Sequence, residues 1–183
     1  MTRVKLFAGI ELPDGVRKKC IAIAQRLRDS GLDARYEAPE KLHVTVAFLG
    51  WVDPEQIEAI RAALERAAQS SPPFEMTMDK LGAFPHERRP RVVWLGSRSQ
   101  SACFKNLART ARTEFESLGF SFDKGALAHV TLARVKGGDA HLPTLEIAPM
   151  RVEVGALTLF ESIPAERTTR YEVRAQYPLK PPP

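Results

Sequence analysis

Two short segments of this chain each carry a histidine followed two residues later by a threonine. They are His43-Val44-Thr45 and His129-Val130-Thr131, and together they use two of the chain's four histidines. An imidazole titrates near neutral pH, so two imidazoles that face one another can supply a general acid and a general base. Neighbouring hydroxyl groups can donate hydrogen bonds to an oxyanion. The four side chains therefore suit a tetrahedral anion with several reachable oxygens.

Both segments are predicted to be β-strands, because they are rich in β-branched and apolar residues and run on to a glycine. Successive side chains of a strand point to opposite faces, so each histidine shares a face with its threonine. The other face of the first strand carries Leu42, Val44, Val46 and Phe48. The other face of the second carries Ala128, Val130 and Leu132. These apolar faces, Phe48 included, are predicted to lie in the core, while the histidines and threonines face a cleft.

The remaining elements repeat around these two strands. Hydrophobic periodicity and capping signals predict helices over residues 14–31, 54–69 and 101–118, with Asp53 as the N-cap of the second helix and Gly119 as the C-cap of the third. Strands or extended segments are predicted over residues 4–10, 36, 74–82, 91–96, 120–122, 152–160 and 171–177.

The order helix, strand, histidine strand occurs twice, which predicts a single α+β domain over residues 1–183. We expect two similar lobes related by a pseudo-two-fold axis. Each would be an antiparallel sheet with helices packed outside, and the active-site cleft would lie between the sheets. The motifs 43–46 and 129–132 each belong to one half.

Composition indicates an ordinary globular protein with a moderate net charge of +5, which is compatible with a polyanionic partner. No apolar run approaches the roughly 20 residues that span a bilayer, and the N-terminal segment is predicted to be a strand rather than a signal peptide. We therefore expect a cytoplasmic protein that does not bind membranes. Cys20 and Cys103 lie near the apolar stripes of helices and are predicted to be buried thiols, without a disulfide or a metal.

Other chemistries lack their sequence signals. The remaining histidines, His86 and His141, show no spacing typical of zinc ligands. The chain has no G-x-S-x-G elbow of a serine hydrolase, no phosphate-binding P-loop and no dinucleotide glycine signature. What remains is acid–base displacement at phosphorus with no metal and no cofactor.

The chain resembles the 2H phosphoesterases, which are named for two His-x-Thr/Ser-x motifs, here HVTV and HVTL. Among them it is similar to the RNA 2',3'-cyclic phosphodiesterases, once described as 2'-5' RNA ligases. The resemblance also rests on LFAGIELP, LGAFPHERRPRVVWLG and LTLFESIPAERTTRYEVRAQYPL. One departure is Ala128, because the family often has proline just before the second histidine.

This resemblance implies hydrolysis of RNA 2',3'-cyclic phosphate ends to 2'-phosphomonoester ends. It assigns His43 as the proton donor to the leaving 3'-oxygen and His129 as the base that activates water; geometry alone leaves these two roles interchangeable. Thr45 and Thr131 would bind the non-bridging phosphate oxygens. The HVTLAR continuation implies that Arg134 contacts substrate, although strict alternation turns it away from the histidine face.

Several alternatives remain open at this stage. The basic segment 86–91 either contacts the RNA backbone or is a solvated loop. The fold could serve as a non-catalytic RNA-binding module, or the enzyme could act on small cyclic nucleotides or 2'-5' linkages, and a reversible 2'-5' RNA ligase activity is compatible with the family. The expected partner is RNA with 2',3'-cyclic phosphate ends, such as tRNA fragments, bound by a monomer.

Overall fold

The computed structural model describes residues 2–137, 140–166 and 168–180. Within them the chain forms three α-helices: α1 (Asp14–Asp29), α2 (Ile57–Gln69) and α3 (Ala102–Glu116). The strands are β1 (Val4–Glu11), β2 (Ala34–Tyr36), β3 (His43–Val52), β4 (Phe74–Met78), β5 (Lys80–Phe84), β6 (Val92–Gly96), β7 (His129–Val135), β8 (Met150–Val154), β9 (Ala156–Ala165) and β10 (Thr168–Pro178). The predicted α+β class is confirmed.

Eight of these strands form one antiparallel sheet in the order β10-β9-β1-β3-β7-β6-β5, and β2 also pairs with β7. The two histidine strands, β3 and β7, are neighbours at the middle of this sheet, where a single residue pair joins them. Beyond that pair, the far end of β7 pairs with β2 instead. Among the described residues, this one pair at the histidine motifs joins the two sides of the sheet. The pseudo-two-fold relation between its two sides stays a prediction.

The helices cover one face of this sheet and create the core. α3 contacts β3, α1 contacts β7, and α2 packs on α3 and against β9 and β10. In α1 the buried residues form one apolar stripe with the 3.6-residue period that predicted the helix: Val16, Cys20, Ile23 and Leu27. The apolar residues of the histidine motifs, including Val44 and Val130, are fully buried on the same side. Because the core takes up one face of β3 and β7, the polar residues of both motifs point to the other. No helix in the described ranges is long and apolar enough to cross a membrane.

The predicted start of α2 was wrong. Residues 54–56 form a 3₁₀ turn, and the α-helix begins at Ile57. Asp53 makes no capping bond, because both of its carboxylate oxygens accept hydrogen bonds from the Arg3 guanidinium, at 2.8 and 3.0 Å. The Asp53 carboxylate thus forms a long-range bidentate ion pair with Arg3 instead of a local N-cap bond.

At α3 the predicted helix and its glycine ending agree more closely with the structure than the predicted start of α2 does. Ser101 accepts a hydrogen bond from the backbone N–H of Phe104, and the helix ends at Glu116. Gly119 then adopts a φ of +92°, while the N–H of Phe120 donates to the carbonyl of Phe115. This is the left-handed ending that favours glycine.

Four other expectations were wrong. The predicted strands 74–82 and 152–160 are each two strands in different sheets, since β4 and β8 pair in a separate two-stranded sheet while β5 and β9 belong to the large sheet. Residues 120–122 form no strand. Cys103 is exposed because it lies beside the buried stripe of α3, whereas Cys20 is buried as predicted; both are free thiols.

Candidate active site

The two histidine motifs meet at the bridge between β3 and β7. That bridge pairs the middle valines of the motifs, which are buried on the core side. The antiparallel register places His43 across from Thr131, and Thr45 across from His129. Directly opposite residues on one face of a sheet have Cβ atoms about 4.5–5.5 Å apart. The two histidines and two threonines thus alternate within a small area on the face of the sheet opposite the core.

Each imidazole is oriented by the backbone two residues upstream. His43 Nδ1 lies 2.7 Å from the carbonyl oxygen of Lys41, and His129 Nδ1 lies 2.8 Å from that of Leu127. A carbonyl can only accept, so Nδ1 carries the donated proton in both rings. The backbone bonds therefore leave the Nε2 atom of each ring as the nitrogen that can accept a proton when the ring is neutral. His43 Nε2 is 3.0 Å from the Thr45 hydroxyl, which can donate to it when the ring is neutral.

Aromatic side chains from three strands surround the ring of His43. The ring centroids of Phe7, Phe160 and Tyr171 lie 4.8, 5.8 and 5.3 Å from that of His43. Beneath them the chain has Gly9, where a Cβ atom would lie 2.8 Å from a carbonyl oxygen of β3 and 3.6 Å from His43 Cδ2. Any larger residue would press on the backbone of the histidine strand, and its Cβ atom would lie in van der Waals contact with the imidazole.

His129 has a separate aromatic environment on the other side of the bridge. The rings of Phe84 and Trp94 stand roughly edge-on to it, at centroid distances of 5.3 and 6.0 Å. A Cβ atom at Gly82 would overlap the Trp94 ring. The glycine therefore lets the indole lie flat on β5 and reach the histidine.

Burial lowers the pKa of both histidines, because it disfavours the charged imidazolium. The bond from His43 to the Lys41 carbonyl opposes this and raises the pKa, as does the Glu37 carboxylate, while charge on His129 or Lys41 lowers it. For His129 the bond to the Leu127 carbonyl raises the pKa against the effect of burial. A positive charge on His129 therefore makes protonation of His43 less favourable.

A cavity of about 560 Å³ opens beside the bridge. His43, Thr45, Thr131 and Arg134 line it, so four of the five predicted site residues share one wall. His129 does not line this cavity; its ring lies against Phe84 and Trp94, and the register sets it across from Thr45. The cavity is rich in cations, with Lys5, Arg35, Lys41 and Arg134 against Glu37. Such a lining attracts a phosphate anion.

A β-bulge follows each motif, and it overturns two expectations based on strict alternation. Val46 is the extra residue in β3 opposite β1, and Leu132 is the extra residue in β7 opposite β6. Each bulge shifts the alternation by one residue. Phe48 is consequently 53% exposed rather than in the core, and Arg134 lies on the cavity wall instead of facing away from the histidines.

The carbonyl groups of both bulged residues receive hydrogen bonds from outside the sheet. Arg112 on α3 donates from Nε to the oxygen of Val46 at 3.1 Å. The backbone N–H of Glu37 donates to the oxygen of Leu132 at 2.9 Å. Since buried carbonyl groups need a partner, these two donors stabilise the bulges that turn Phe48 and Arg134 toward the cleft.

Comparison with known proteins decides the family. Residues 10–94 match the family described as LigT like Phosphoesterase. A protein of Methanothermobacter thermautotrophicus named RNA 2',3'-cyclic phosphodiesterase is 30% identical over 172 residues, covering 89% of this chain and 93% of the relative. The chain belongs to the LigT-like phosphoesterase family. A second relative of the same name, from Archaeoglobus fulgidus, is 35% identical over 134 residues, which is 73% of each protein.

Solved structures of LigT-like phosphoesterases have the same fold. Escherichia coli LigT complexed with 3'-AMP has a TM-score of 0.80 and 29% identity, and the match covers 97% of this chain and 98% of that one. A crystal structure described as a phosphoesterase has a TM-score of 0.82 and 27% identity, with coverages of 97% and 98%. The likeness extends over nearly the whole chain, including both histidine strands.

Sequence reasoning missed a buried ion-pair network in this LigT-like phosphoesterase. Glu37 receives Lys41 Nζ at 3.1 Å on one carboxylate oxygen and Arg134 Nε at 3.1 Å on the other. The side chains of Lys41 and Glu37 are only 7% and 10% exposed. Lys41 Nζ also donates to the hydroxyl of Thr169 at 3.2 Å. One signal was present: Lys41 lies only two residues before His43, at the end of a 3₁₀ turn over Pro39–Lys41.

Ala128, the departure from the family pattern, has a definite role in positioning His129. Its backbone N–H donates to Gln100 Oε1 at 2.9 Å, a bond that proline could not make. This bond holds the chain immediately before β7, next to the carbonyl of Leu127 that orients the imidazole.

The basic segment 86–91 lies in the exposed loop between β5 and β6. None of its residues lines the cavity beside the bridge. Among the residues that the structure describes, no group of three or more His, Cys, Asp and Glu side chains is arranged to hold a metal ion.

Proposed function

We propose that this LigT-like phosphoesterase hydrolyses the 2',3'-cyclic phosphate end of RNA to a 2'-phosphomonoester. The observation that carries the proposal is the arrangement of the two imidazoles. Both Nδ1 atoms are bound to backbone carbonyls, so both Nε2 atoms are available on a face where histidine and threonine alternate across one bridge. The names of the relatives from Methanothermobacter and Archaeoglobus support the same substrate.

The proposed reaction divides two proton transfers between the histidines. Neutral His129 takes a proton on Nε2 from a water molecule as the water oxygen attacks phosphorus. The bond between phosphorus and the 3'-oxygen breaks, and protonated His43 gives its Nε2 proton to that oxygen. Thr45 and Thr131 donate hydrogen bonds to the non-bridging oxygens, whose charge grows in the transition state. Strain in the five-membered ring assists the cleavage, and exchange with solvent restores both histidines.

The cations of the cavity bind the phosphate and position it. Arg134 is tethered through Nε to Glu37, so the N–H groups on its terminal nitrogens can bind a phosphate oxygen. Lys41 is held between Glu37 and Thr169 next to His43. In this proposal the threonine hydroxyls contact the oxygens on the reacting phosphorus, and the tethered cations lie around the phosphate group.

The same residues can also join RNA ends. If the 5'-hydroxyl of a second RNA replaces water at the attacking position, His129 deprotonates it and the 3'-oxygen leaves as before. The product then contains a 2'-5' linkage. Because every step is reversible, this ligation and its reverse use the same acid and base.

The pH dependence should reveal both histidines. The acid must be protonated and the base neutral, so kcat/KM should follow a bell-shaped curve whose limbs belong to the coupled pair. Burial lowers the pKa of both groups, so we expect the bell for the free enzyme to lie below about pH 6.5, where an unperturbed histidine titrates. The bound phosphate anion favours imidazolium, so the kcat profile should lie at higher pH. Coincident kcat and kcat/KM profiles centred above pH 7 would contradict this electrostatic account.

Product analysis tests the proposed reaction directly. An oligonucleotide ending in a 2',3'-cyclic phosphate should yield the 2'-phosphate and none of the 3'-phosphate, which chromatography against both standards resolves. We expect the same product and rate after treatment with EDTA, because the two histidines and two threonines supply the acid, the base and the oxyanion contacts. Loss of activity on chelation, restored by one divalent ion, would overturn the two-histidine mechanism. A 3'-phosphate product would reverse the choice of leaving oxygen.

A further inference from the structure

One acid lies among the cations of the active-site cavity. Among the residues that the structure describes, the cavity wall carries one carboxylate, Glu37, and four cations: Lys5, Arg35, Lys41 and Arg134. The Glu37 side chain is only 10% exposed, and its two oxygens bind Lys41 and Arg134. A carboxylate within a phosphate-binding wall repels the anion that the surrounding cations attract.

The Glu37 carboxylate is held in this position from several sides. Its backbone N–H donates to the carbonyl of Leu132 at 2.9 Å, which ties it to β7 just after the second histidine motif. Arg134 Nε lies 3.1 Å from one carboxylate oxygen, and Lys41 Nζ lies 3.1 Å from the other. The Lys41 ammonium group in turn lies 5.1 Å from the ring centroid of Tyr171. Because Glu37 and Lys41 are largely shielded from water, salt screens their charges little.

The proposed reaction changes the charge of the phosphate that these residues surround. A 2',3'-cyclic phosphate is a diester with one negative charge, whereas a phosphomonoester carries a charge of about −1.5 to −2 at pH 7. Hydrolysis therefore adds nearly one negative charge to a group that lies beside four cations. Cations alone would bind the product more tightly than the substrate, and slow product release limits the turnover of many enzymes.

We infer that Glu37 determines which phosphate charge this cavity accepts, because its carboxylate weakens binding of the dianionic product more than binding of the monoanionic diester. With a guanidinium between them, the carboxylate and a bound phosphate lie on the order of 7 Å apart. At that distance one extra unit charge changes a binding constant roughly 3- to 50-fold for effective dielectric constants of about 80 to 20. Glu37 acts through Lys41 and Arg134 and is therefore a specificity-determining residue. This inference rests on the proposed function, which supplies the change in charge.

Binding of two matched ligands tests the inference directly. Adenosine 2'-phosphate and its methyl ester differ by a methyl group and by about one unit of charge near pH 7. Titration calorimetry gives, for each protein, the ratio of the Kd of the phosphate to the Kd of the methyl ester. Glu37→Gln keeps an oxygen for the Arg134 bond and removes the charge, so this ratio should fall roughly 3- to 50-fold. The matched control is Glu40→Gln, an exposed glutamate of the adjacent 3₁₀ turn that does not line the cavity, and it should keep the wild-type ratio.

Two further variants separate the charge of Glu37 from its position. Lys41→Met removes the paired cation and should raise the ratio by a similar factor. The double variant Glu37→Gln/Lys41→Met has the same net charge as the wild-type wall, so its ratio should return to within about threefold of wild type. An unchanged ratio in Glu37→Gln would overturn the inference. A double variant that keeps the ratio of Glu37→Gln would also overturn it, because Glu37 would then act by positioning its neighbours and not by charge.

Kinetic measurements distinguish this inference from the proposed function. In Glu37→Gln, the 2'-phosphorylated product should inhibit hydrolysis of a cyclic-phosphate oligonucleotide more strongly, with Ki falling by a larger factor than KM. If the wild type hydrolyses no cyclic phosphate but the calorimetric ratio still falls in Glu37→Gln, the charge discrimination stands and the proposed function falls. If hydrolysis proceeds as proposed and the ratio is unchanged, the proposed function stands and this inference falls.

Discussion

Replacing either histidine by alanine should reduce kcat about 10²–10⁴-fold, the usual worth of one positioned acid or base. The double variant His43→Ala/His129→Ala should lose far less than the product of the two losses, because acid and base act in one step. Steady-state kinetics on a cyclic-phosphate oligonucleotide measure all three. His86→Ala and His141→Ala are matched controls, since both residues are exposed and lie outside the helices and strands. They should retain the wild-type rate.

A substrate with a better leaving group assigns the two roles. In catechol cyclic phosphate the leaving oxygen is phenolic, with a pKa near the value of about 10 for tyrosine, so it needs little protonation. This compound should largely rescue His43→Ala and leave His129→Ala impaired. Rescue of His129→Ala alone would mean that the roles are exchanged, and rescue of neither would rule out the division into acid and base. Thermal unfolding of each variant excludes loss of the fold as the cause.

Removing either threonine hydroxyl should have the second largest effect. Thr45→Ala and Thr131→Ala should each lower kcat/KM roughly 10²–10³-fold, as loss of one oxyanion donor does. Thr45→Ala should in addition shift the pH profile, because its hydroxyl lies 3.0 Å from His43 Nε2. We expect Thr131→Ala to lower the rate but to change the pH profile less than Thr45→Ala does.

Serine replacements are the matched controls for the threonines. Thr45→Ser and Thr131→Ser keep the hydroxyl and remove only a methyl group, so their kcat/KM should stay within a few-fold of wild type. Equal damage from serine and alanine would show that the methyl group, through packing, is the part that matters. Measuring kcat and KM separately shows whether the hydroxyl acts in the transition state or in substrate binding.

Local patterns predicted much of this molecule. The stripe of α1 and the position of both histidine strands follow from periodicities of 3.6 and 2. Alternation also placed each histidine with its threonine, facing away from the buried valines. That argument needed only three residues of regular strand, and the strands are regular over those three residues.

The predictions were wrong for residues that follow the points where the strands stop being regular. A bulge depends on which carbonyl finds a donor elsewhere, here Arg112 and the backbone of Glu37, and no local pattern records such long-range partners. Phe48 and Arg134 were therefore assigned to the wrong faces by alternation, and only the family resemblance selected Arg134. The aromatic neighbours of His43 come from β1, β9 and β10, so they could be recognised only once the sheet order was known.

Both imidazoles are oriented by backbone carbonyl groups, so their orientation does not depend on a second side chain. Where a carboxylate orients a catalytic histidine, that carboxylate has its own ionisation and can be lost by a single substitution. Here the carbonyls of Lys41 and Leu127 fill that place, and a carbonyl neither ionises nor changes with the side chain attached to it. The carbonyl bonds thereby favour one tautomer of each neutral ring, with the proton on Nδ1. Mutation of neighbouring side chains can alter how readily these histidines gain or lose a proton, but not which nitrogen presents it.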